Sequence, residues 1–435
     1  MNKIDSIEFN GPYNINGIIE VPGDKSISHR SVILSSLTND VINIDNFLLS
    51  QDCIRSLDIM QKLGVNYTLN ENKLVIKGCG IKEFKEPDDV LYVGNSGTTI
   101  RLLTGLLSAC DFFSVLSGDR SINNRPMDRI IIPLNRMGAK VFGRENNTKA
   151  PLVIFGNNDL KGCKLILDIS SAQVKSCLLL AGLFASGETE INQPLVSRDH
   201  TERMLEYFGA KIEYDGKNTK IKPSKLKGKD IFIPGDFSSA SFFIVAALIL
   251  DNSEILVKNV GINPTRSYLL TLLKEMGGNI EQYNVREINN EPVADLKICS
   301  SELHAVEIDK KFIPNIIDEI PILCVAAAFA SGNTVIRGAE ELRVKESDRI
   351  SSMVKEFNKL GIKSKENEDG IIIYGNRNYE LLSADIDSYG DHRIAMALSI
   401  AALKAKQKIN INGSECINTS FPEFEKILFS LISKH

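Results

Sequence analysis

Paired cysteines are missing from this 435-residue sequence. Its eight cysteines stand at positions 53, 79, 110, 163, 177, 299, 324 and 416, and no two of them form a CxxC pair. Scattered thiols of this kind read as reduced side chains rather than as a zinc site or a disulfide framework. Cys177 and Cys324 fall inside apolar helical runs and are expected in the core. No HExxH and no GxxxxGK occurs, so neither the zinc-protease nor the P-loop signature is available. Neither sign of charge dominates: 51 Lys+Arg face 55 Asp+Glu. That leaves no basic excess to hold a nucleic-acid backbone, although an average says nothing against a local basic cleft. No apolar run is long enough to cross a membrane; ASFFIVAALIL from Ala240 has about half of the roughly 20 residues needed. The opening MNKIDSIEFNGPY has no apolar core of a signal peptide, which with the reduced thiols gives a cytoplasmic expectation. The 43% apolar and 24% charged residues are ordinary for a globular chain and exclude disorder and collagen.

A repeat is present instead. An amphipathic helix ending in an apolar residue, then Gly, then a strand recurs in IRSLDIMQKLGVNYTL, RIIIPLNRMGAKVFG, ERMLEYFGAKIEY, LLTLLKEMGGNIEQY and ISSMVKEFNKLGIKSK. Gly just past a helix accepts the left-handed conformation that closes it. The stop glycines are Gly64, Gly138, Gly209, Gly277 and Gly361, and FPEFEKILFSLI supplies a sixth helix without one. A second kind of helix, apolar and rich in small residues, alternates with the first, as in LLLAGLFASGETEIN and VAAAFASGNTVIRG. Each repeat is therefore two helices with strands between, about 72 residues long. ValProGlyAsp at 21–24 returns as IleProGlyAsp at 233–236, after about three repeats. Length alone suggests about three domains. The repeat replaces that with two domains of three units: residues 22–235, and residues 1–21 with 236–435. The N-terminal strand is the second domain's extra strand. Small-residue helices imply burial on most faces, with helices inside and sheets outside. An ordinary doubly wound α/β protein would also end its helices in Gly.

Polar clusters recur where these helices start. VPGDKSISHR (21–30) puts Lys25 and Ser26 at a helix mouth and Arg30 one turn in, either as a capped surface helix or as an anion site. GNSGTTIR (94–101) is a glycine-rich turn into a helix. NNRPMDR (123–129) sets Arg125 before Pro126, read as the first helical residue. SSAQVKS (170–176) offers Ser171, Gln173 and Lys175 to hydroxyls and phosphate, and SRDHTER (197–203) offers Ser197 and Arg198. IIDEIP (316–321) sets two carboxylates among apolar residues, which is uncommon without partners. RVKESDR (343–349) gathers Lys345, Glu346 and Arg349 into about one helical turn, as a salt-bridged surface or a site. His392 and Arg393 open the small-residue helix of GDHRIAMA. Each cluster alone reads equally as caps and solvated charge. Together, helix mouths reinforced by Lys25, Arg30, Arg101, Arg125, Lys345, Arg349 and Arg393 suit small, multiply charged anions. Asp318 and Glu346 are expected as the only carboxylates there, and hence as general acid/base candidates.

These motifs, in this order along nearly the whole chain, resemble the 5-enolpyruvylshikimate-3-phosphate synthase (EPSP synthase) family, also called 3-phosphoshikimate 1-carboxyvinyltransferases. The resemblance implies a two-domain inside-out α/β barrel, each domain of three βαβαββ units, with the active site in the cleft between the domains. It implies enolpyruvyl transfer from phosphoenolpyruvate to the 5-hydroxyl of shikimate 3-phosphate, with no metal or organic cofactor, in a cytoplasmic monomer. By resemblance, Lys25, Ser26, Arg30, Ser171, Ala172, Gln173, Ser197, Arg198, Asp318 and Lys345 hold shikimate 3-phosphate. Lys25, Gly97, Arg125, Gln173, Arg349, His392 and Arg393 hold phosphoenolpyruvate. Asp318 takes the hydroxyl proton, Glu346 serves proton transfer at the methylene carbon, and Lys25 completes the catalytic set. The SAQVKS and IDEIP wording is similar to the family's second class. One departure is AsnThrSer at 418–420, before Phe421-Pro422, where many relatives carry Lys. The sister family of UDP-N-acetylglucosamine enolpyruvyl transferases places a Cys before an Arg-Pro pair. Here the matching loop has Arg120 and no Cys. A non-catalytic anion-binding scaffold is the other alternative.

Overall fold

The computed structural model describes residues 6–434. Two compact units account for the chain. One comprises Gly23–Ile233 with the turn Ile288–Glu291; the other comprises the chain up to Pro22, Pro234–Glu287, and the chain from Pro292. Residues 1–5 of the expected second domain lie outside the described residues. The short turn 288–291 was not foreseen as part of the first unit.

Twelve helices of eight or more residues occur among the described residues, and they alternate in character along the chain. In the first unit they are α1 (Lys25–Ser36), α2 (Gln51–Lys62), α3 (Gly97–Leu107), α4 (Asp128–Arg136), α5 (Ala172–Gly182) and α6 (His200–Tyr207). In the other they are α7 (Phe237–Ile249), α8 (Tyr268–Glu275), α9 (Ile320–Ala328), α10 (Arg349–Lys359), α11 (His392–Ala402) and α12 (Phe424–Leu431). The odd-numbered helices are buried around most of their circumference. All of α7 and α9 is buried, and in α11 only Arg393 is not. The even-numbered helices bury one stripe; α2, for example, buries Cys53, Ser56, Leu57, Ile59 and Met60. After α2, α4, α6, α8 and α10, the five stop glycines all adopt positive φ, between 80° and 97°.

Among the described residues, six small sheets flank the helices, three in each unit. In the first unit, Val41–Asp45 pairs antiparallel with Lys73–Lys77, which pairs with Asn66–Asn70. Ile231–Phe232 closes that sheet in parallel, with Ile231 opposite Ile44. Alternate burial along Val41–Asp45 turns Ile42 and Ile44 inward and leaves Val41, Asn43 and Asp45 exposed. Each unit thus keeps apolar helices inside and one-sided sheets outside, as the repeat implied. The single extra N-terminal strand is corrected to two. Ser6–Phe9 pairs with Ile409–Asn412, and Tyr13–Glu20 pairs with both Glu254–Gly261 and Ile432–Lys434. Cys177 and Cys324 are buried, as expected. No helix among the described residues is long and apolar enough to cross a membrane.

Burying helices against one another requires small residues where backbones meet. At Gly105 in α3, a Cβ would lie 2.0 Å from the carbonyl oxygen of Cys177 in α5. No rotamer relieves a clash with backbone, so α3 and α5 must separate. Gly105→Ala is therefore expected to lower stability by about 3 kcal/mol, at the upper end of ordinary overpacking. The denaturation midpoint measures this, and an unchanged midpoint contradicts the close approach.

Candidate functional site

In the first unit, the sequence-predicted residues gather at the starts of α1, α3 and α5. Asp24 caps α1 by accepting from the Ile27 backbone N–H at 2.9 Å. This fixes Lys25 as the first helical residue, where its ammonium pairs with Asp52 of α2. Arg30 lies deeper than a surface ligand would. Its Nε donates to Thr201 Oγ1 at 2.6 Å, Nη1 to the Ser26 carbonyl at 2.8 Å and Nη2 to Ser176 Oγ at 2.8 Å. Burial pushes its pKa down to about 10, against the opposing pull of Glu202 and Asp24.

Ser96 caps α3 and Ser171 caps α5, each accepting from the third backbone N–H beyond it. Gln173 then bridges the two helices. It donates to Thr98 Oγ1 at 3.0 Å and accepts from Arg101 Nη1 at 2.5 Å. Gly97 supplies the space for this: a Cβ there would stand 3.0 Å from both Arg101 Nη1 and Arg125 Nη1. Gly97, Arg101, Arg125 and Gln173 are thus brought together. Arg125 Nη2 donates to Asn95 Oδ1 at 2.9 Å. Pro126 does not open the helix as expected; α4 begins at Asp128, after Met127 as its N-cap. Ala172 is the first residue of α5, and its carbonyl accepts from Ser176 Oγ at 2.6 Å. Ser197 Oγ donates to Gln193 Oε1 at 2.8 Å, and Arg198 follows it. On sequence, Lys175 is a possible ligand for phosphate. Instead it is buried in an ion pair with Glu202.

In the other unit, the predicted residues gather around Arg349, the first residue of α10 and only 1% exposed. Its Nε donates to Asp391 Oδ2 at 2.8 Å, its Nη2 to Glu346 Oε2 at 2.6 Å, and its Nη1 reaches Asp318 Oδ1 at 3.4 Å. Burial opposes the guanidinium charge, but Asp391, Glu346 and Asp318 outweigh it and hold the pKa above its ordinary value. Lys345 Nζ lies 3.8 Å from Asp318 Oδ1. Lys345 and Glu346 precede α10 rather than sharing a helical turn with Arg349. Arg393 Nη1 donates to the Asp318 carbonyl at 2.9 Å and to Ser238 Oγ at 3.1 Å. His392 Nδ1 lies 3.4 Å from Thr419 Oγ1, within the segment that departs from the family pattern.

The expectation that Asp318 and Glu346 are the only carboxylates here is corrected. Asp391 and Glu319, both with fully buried side chains, stand among the same cations. Glu319 takes Arg266 Nη1 on both oxygens at 2.8 Å. Glu319 is the second carboxylate of IIDEIP, and Asp391 stands directly before His392 in GDHRIAMA. No cluster of three or more metal-ligating side chains occurs among the described residues.

Cations, carboxylates and helix N-termini at the ends of buried helices can bind small polyanions and move protons between them. The fold carrying them is that of the enolpyruvyl transferases. It matches the enolpyruvyl transferase NikO from Streptomyces tendae at a TM-score of 0.80 and 18% identity, over 98% of each chain. It matches the 2.37 Å structure of EPSP synthase from Acinetobacter baumannii at 0.88 and 40% identity, over 99% of each. The model of the EPSP synthase (3-phosphoshikimate 1-carboxyvinyltransferase) family matches residues 9–428. The 3-phosphoshikimate 1-carboxyvinyltransferase of Geotalea uraniireducens is 50% identical over 419 residues, 96% of this chain and 97% of that one. That of Petrotoga mobilis is 50% identical over 424 residues, 97% of this chain and 98% of that one. This chain belongs to the EPSP synthase family.

The Arg349–Asp391 pair makes a pH-dependent contribution to stability. Burial raises the Asp391 pKa, but Arg349 more than offsets this and holds the carboxyl below its usual 3.8. A depressed carboxyl stabilises the fold above the unfolded pKa and loses that contribution as pH falls through the folded one. Asp391→Asn keeps the α11 cap, since an amide oxygen can still accept from Arg393 N. It is expected to cost about 3 kcal/mol near neutral pH, because it removes one partner of a buried ion pair. The gap from wild type should stay constant above about pH 4 and narrow below it. Denaturation curves across that range measure it, and a gap that widens on acidification contradicts the assignment.

Proposed function

We propose that this chain transfers the enolpyruvyl group of phosphoenolpyruvate to the 5-hydroxyl of shikimate 3-phosphate, with release of inorganic phosphate. The observation that carries this reading is the family match over nearly the whole chain, joined to the Asp318–Arg349–Glu346 cluster. Both substrates carry a phosphate and a carboxylate, and guanidinium forks pair with such groups bidentately. Lys25, Ser26, Arg30, Ser171, Ala172, Gln173, Ser197, Arg198, Asp318 and Lys345 are proposed to take shikimate 3-phosphate. Lys25, Gly97, Arg125, Gln173, Arg349, His392 and Arg393 are proposed to take phosphoenolpyruvate, both sets serving one reaction. The residue wording at 171–176 and 317–321 supports the second class of the family. A cytoplasmic location and a monomeric state belong to the same reading.

The chemistry is an addition followed by an elimination. Glu346 delivers a proton to the methylene carbon of phosphoenolpyruvate, which leaves C2 electrophilic. Asp318 takes the proton of the 5-hydroxyl as its oxygen bonds to C2. The tetrahedral adduct then loses a methyl proton to Glu346, the C2–O bond to phosphate breaks as Asp318 passes its proton to the departing phosphate, and the vinyl ether and free phosphate separate. Each carboxyl thus acts as acid in one half and base in the other.

Phosphate release with both substrates present tests the activity, and its absence would leave an anion-binding scaffold. Asp318→Asn is expected to bind both substrates yet lose turnover by about 10²–10⁴-fold, the range of general acid–base catalysis. Near-normal turnover rejects the role. Lys25→Ala should abolish activity while the far-UV spectrum stays native, because a lysine at a helix mouth adds little to packing.

A further inference from the structure

We propose that Lys175 and Glu202 are positioning residues for shikimate 3-phosphate: their buried ion pair sets the spacing between the first turn of α5 and the segment that leads into α6. The inference rests on the reading above, in which Ser171, Ala172, Gln173, Ser197 and Arg198 take that substrate.

Lys175 Nζ lies 2.5 Å from Glu202 Oε1, and both side chains are 1% exposed. Neither group can reach a ligand at that depth, so the pair acts through what it holds. The same ammonium lies 3.5 Å from the carbonyl of Ser197. Thr219 Oγ1 donates to Glu202 Oε1 at 3.4 Å, while Glu202 Oε2 is buried without a hydrogen-bond partner. A carboxylate left half satisfied in the interior is costly, and apolar residues of similar volume would serve stability better. The lysine also stands in the first turn of α5, where the helix dipole disfavours a cation. Stability therefore does not account for the pair.

Position does. Leu195 N donates to Ser170 Oγ at 2.7 Å and joins the 193–198 segment to the entry of α5 from outside. Lys175 joins it from inside, at Ser197 itself. Arg30 adds the third side, since Thr201 and Ser176, one from each helix, share its guanidinium and lie 2.6 Å apart. With Lys175 and Glu202 in place, the Ser171 and Ser197 arms have one separation. Without them, the 193–198 segment and α6 can slide along α5, while Gln173 stays tied to Thr98 and Arg101 of α3 and the phosphoenolpyruvate residues near Gly97 are left as they were.

Steady-state phosphate release is measured with each substrate varied, for the wild type, Glu202→Gln and the double variant Lys175→Met/Glu202→Met. Glu202→Gln keeps the shape of the side chain, and the double variant leaves no unpaired charge. Both are expected to raise the KM for shikimate 3-phosphate at least tenfold. The KM for phosphoenolpyruvate should stay within twofold and kcat within threefold. A folded variant with the native KM for shikimate 3-phosphate overturns the proposal. So does an equal rise in both KM values, or failure of both variants to fold, either of which marks a purely structural pair. A wild type that releases no phosphate sinks the functional reading itself, and this inference with it.

Discussion

A helix enclosed on every side can carry chemistry only at its ends, and this constraint shapes each unit. α7 and α9 are buried throughout, so no polar side chain along them could meet a ligand. What remains available is the cap and the first turn. Asp24, Ser96, Ser171, Asp236 and Asp391 cap the buried helices α1, α3, α5, α7 and α11 with their side chains. Lys25, Gly97, Gln173, His392 and Arg393 follow within two residues of those caps. Backbone N–H groups and the positive end of the dipole lie there too, so polyanion chemistry follows from the packing. The amphipathic helices carry less of it. α10 is the exception, because its first residue, Arg349, is drawn inward by carboxylates from outside the helix.

Charge at buried ends has to be compensated where it stands. Arg349 has Asp391, Glu346 and Asp318; Lys175 has Glu202; Arg266 has Glu319. Such pairs contribute little to stability, because desolvation offsets most of the Coulomb attraction. They fix direction instead. An Arg349 held at Nε by Asp391 cannot swing, and its Nη groups are left to face Glu346 and Asp318. In the proposed reading, a bound anion exchanges partners around a fixed guanidinium.

The repeat was legible because it is local. A Gly after an amphipathic stripe needs only neighbouring residues to be recognised, and all five stop glycines adopt the positive φ that their position demanded. Small-residue runs likewise announced helices buried all round. The helix mouths were legible for the same reason, since cap and first turn are contiguous in sequence. Pairings were not. Glu202 stands 27 residues from Lys175, and Asp391 42 from Arg349. Nothing in either segment names its partner. The turn Ile288–Glu291 was invisible on the same ground: it enters the first unit because Glu291 meets His200 Nδ1 at 2.7 Å and the Asn290 carbonyl accepts from Arg203. Pro126 misled for a local reason. It stands two residues before α4 starts, where a fixed φ suits the approach as well as the helix itself.

The carboxylates missed from sequence also show which ones can do chemistry. Asp318, Glu319, Glu346 and Asp391 stand around Arg349 and Arg393, yet they divide by exposure. Asp391 and Glu319 have fully buried side chains, each clamped by an arginine. Neither of these carboxylates exposes any side-chain surface to solvent. Asp318 and Glu346 keep 17% and 22% of their side-chain surface. They touch the same guanidinium at its Nη ends, but solvent reaches them. In the proposed reaction a proton carrier has to come within hydrogen-bond reach of the substrate, which a fully buried carboxylate cannot do. Of these four, Asp318 and Glu346 alone keep exposed surface for that contact. The buried pair holds Arg349 and Arg266 in place beside them.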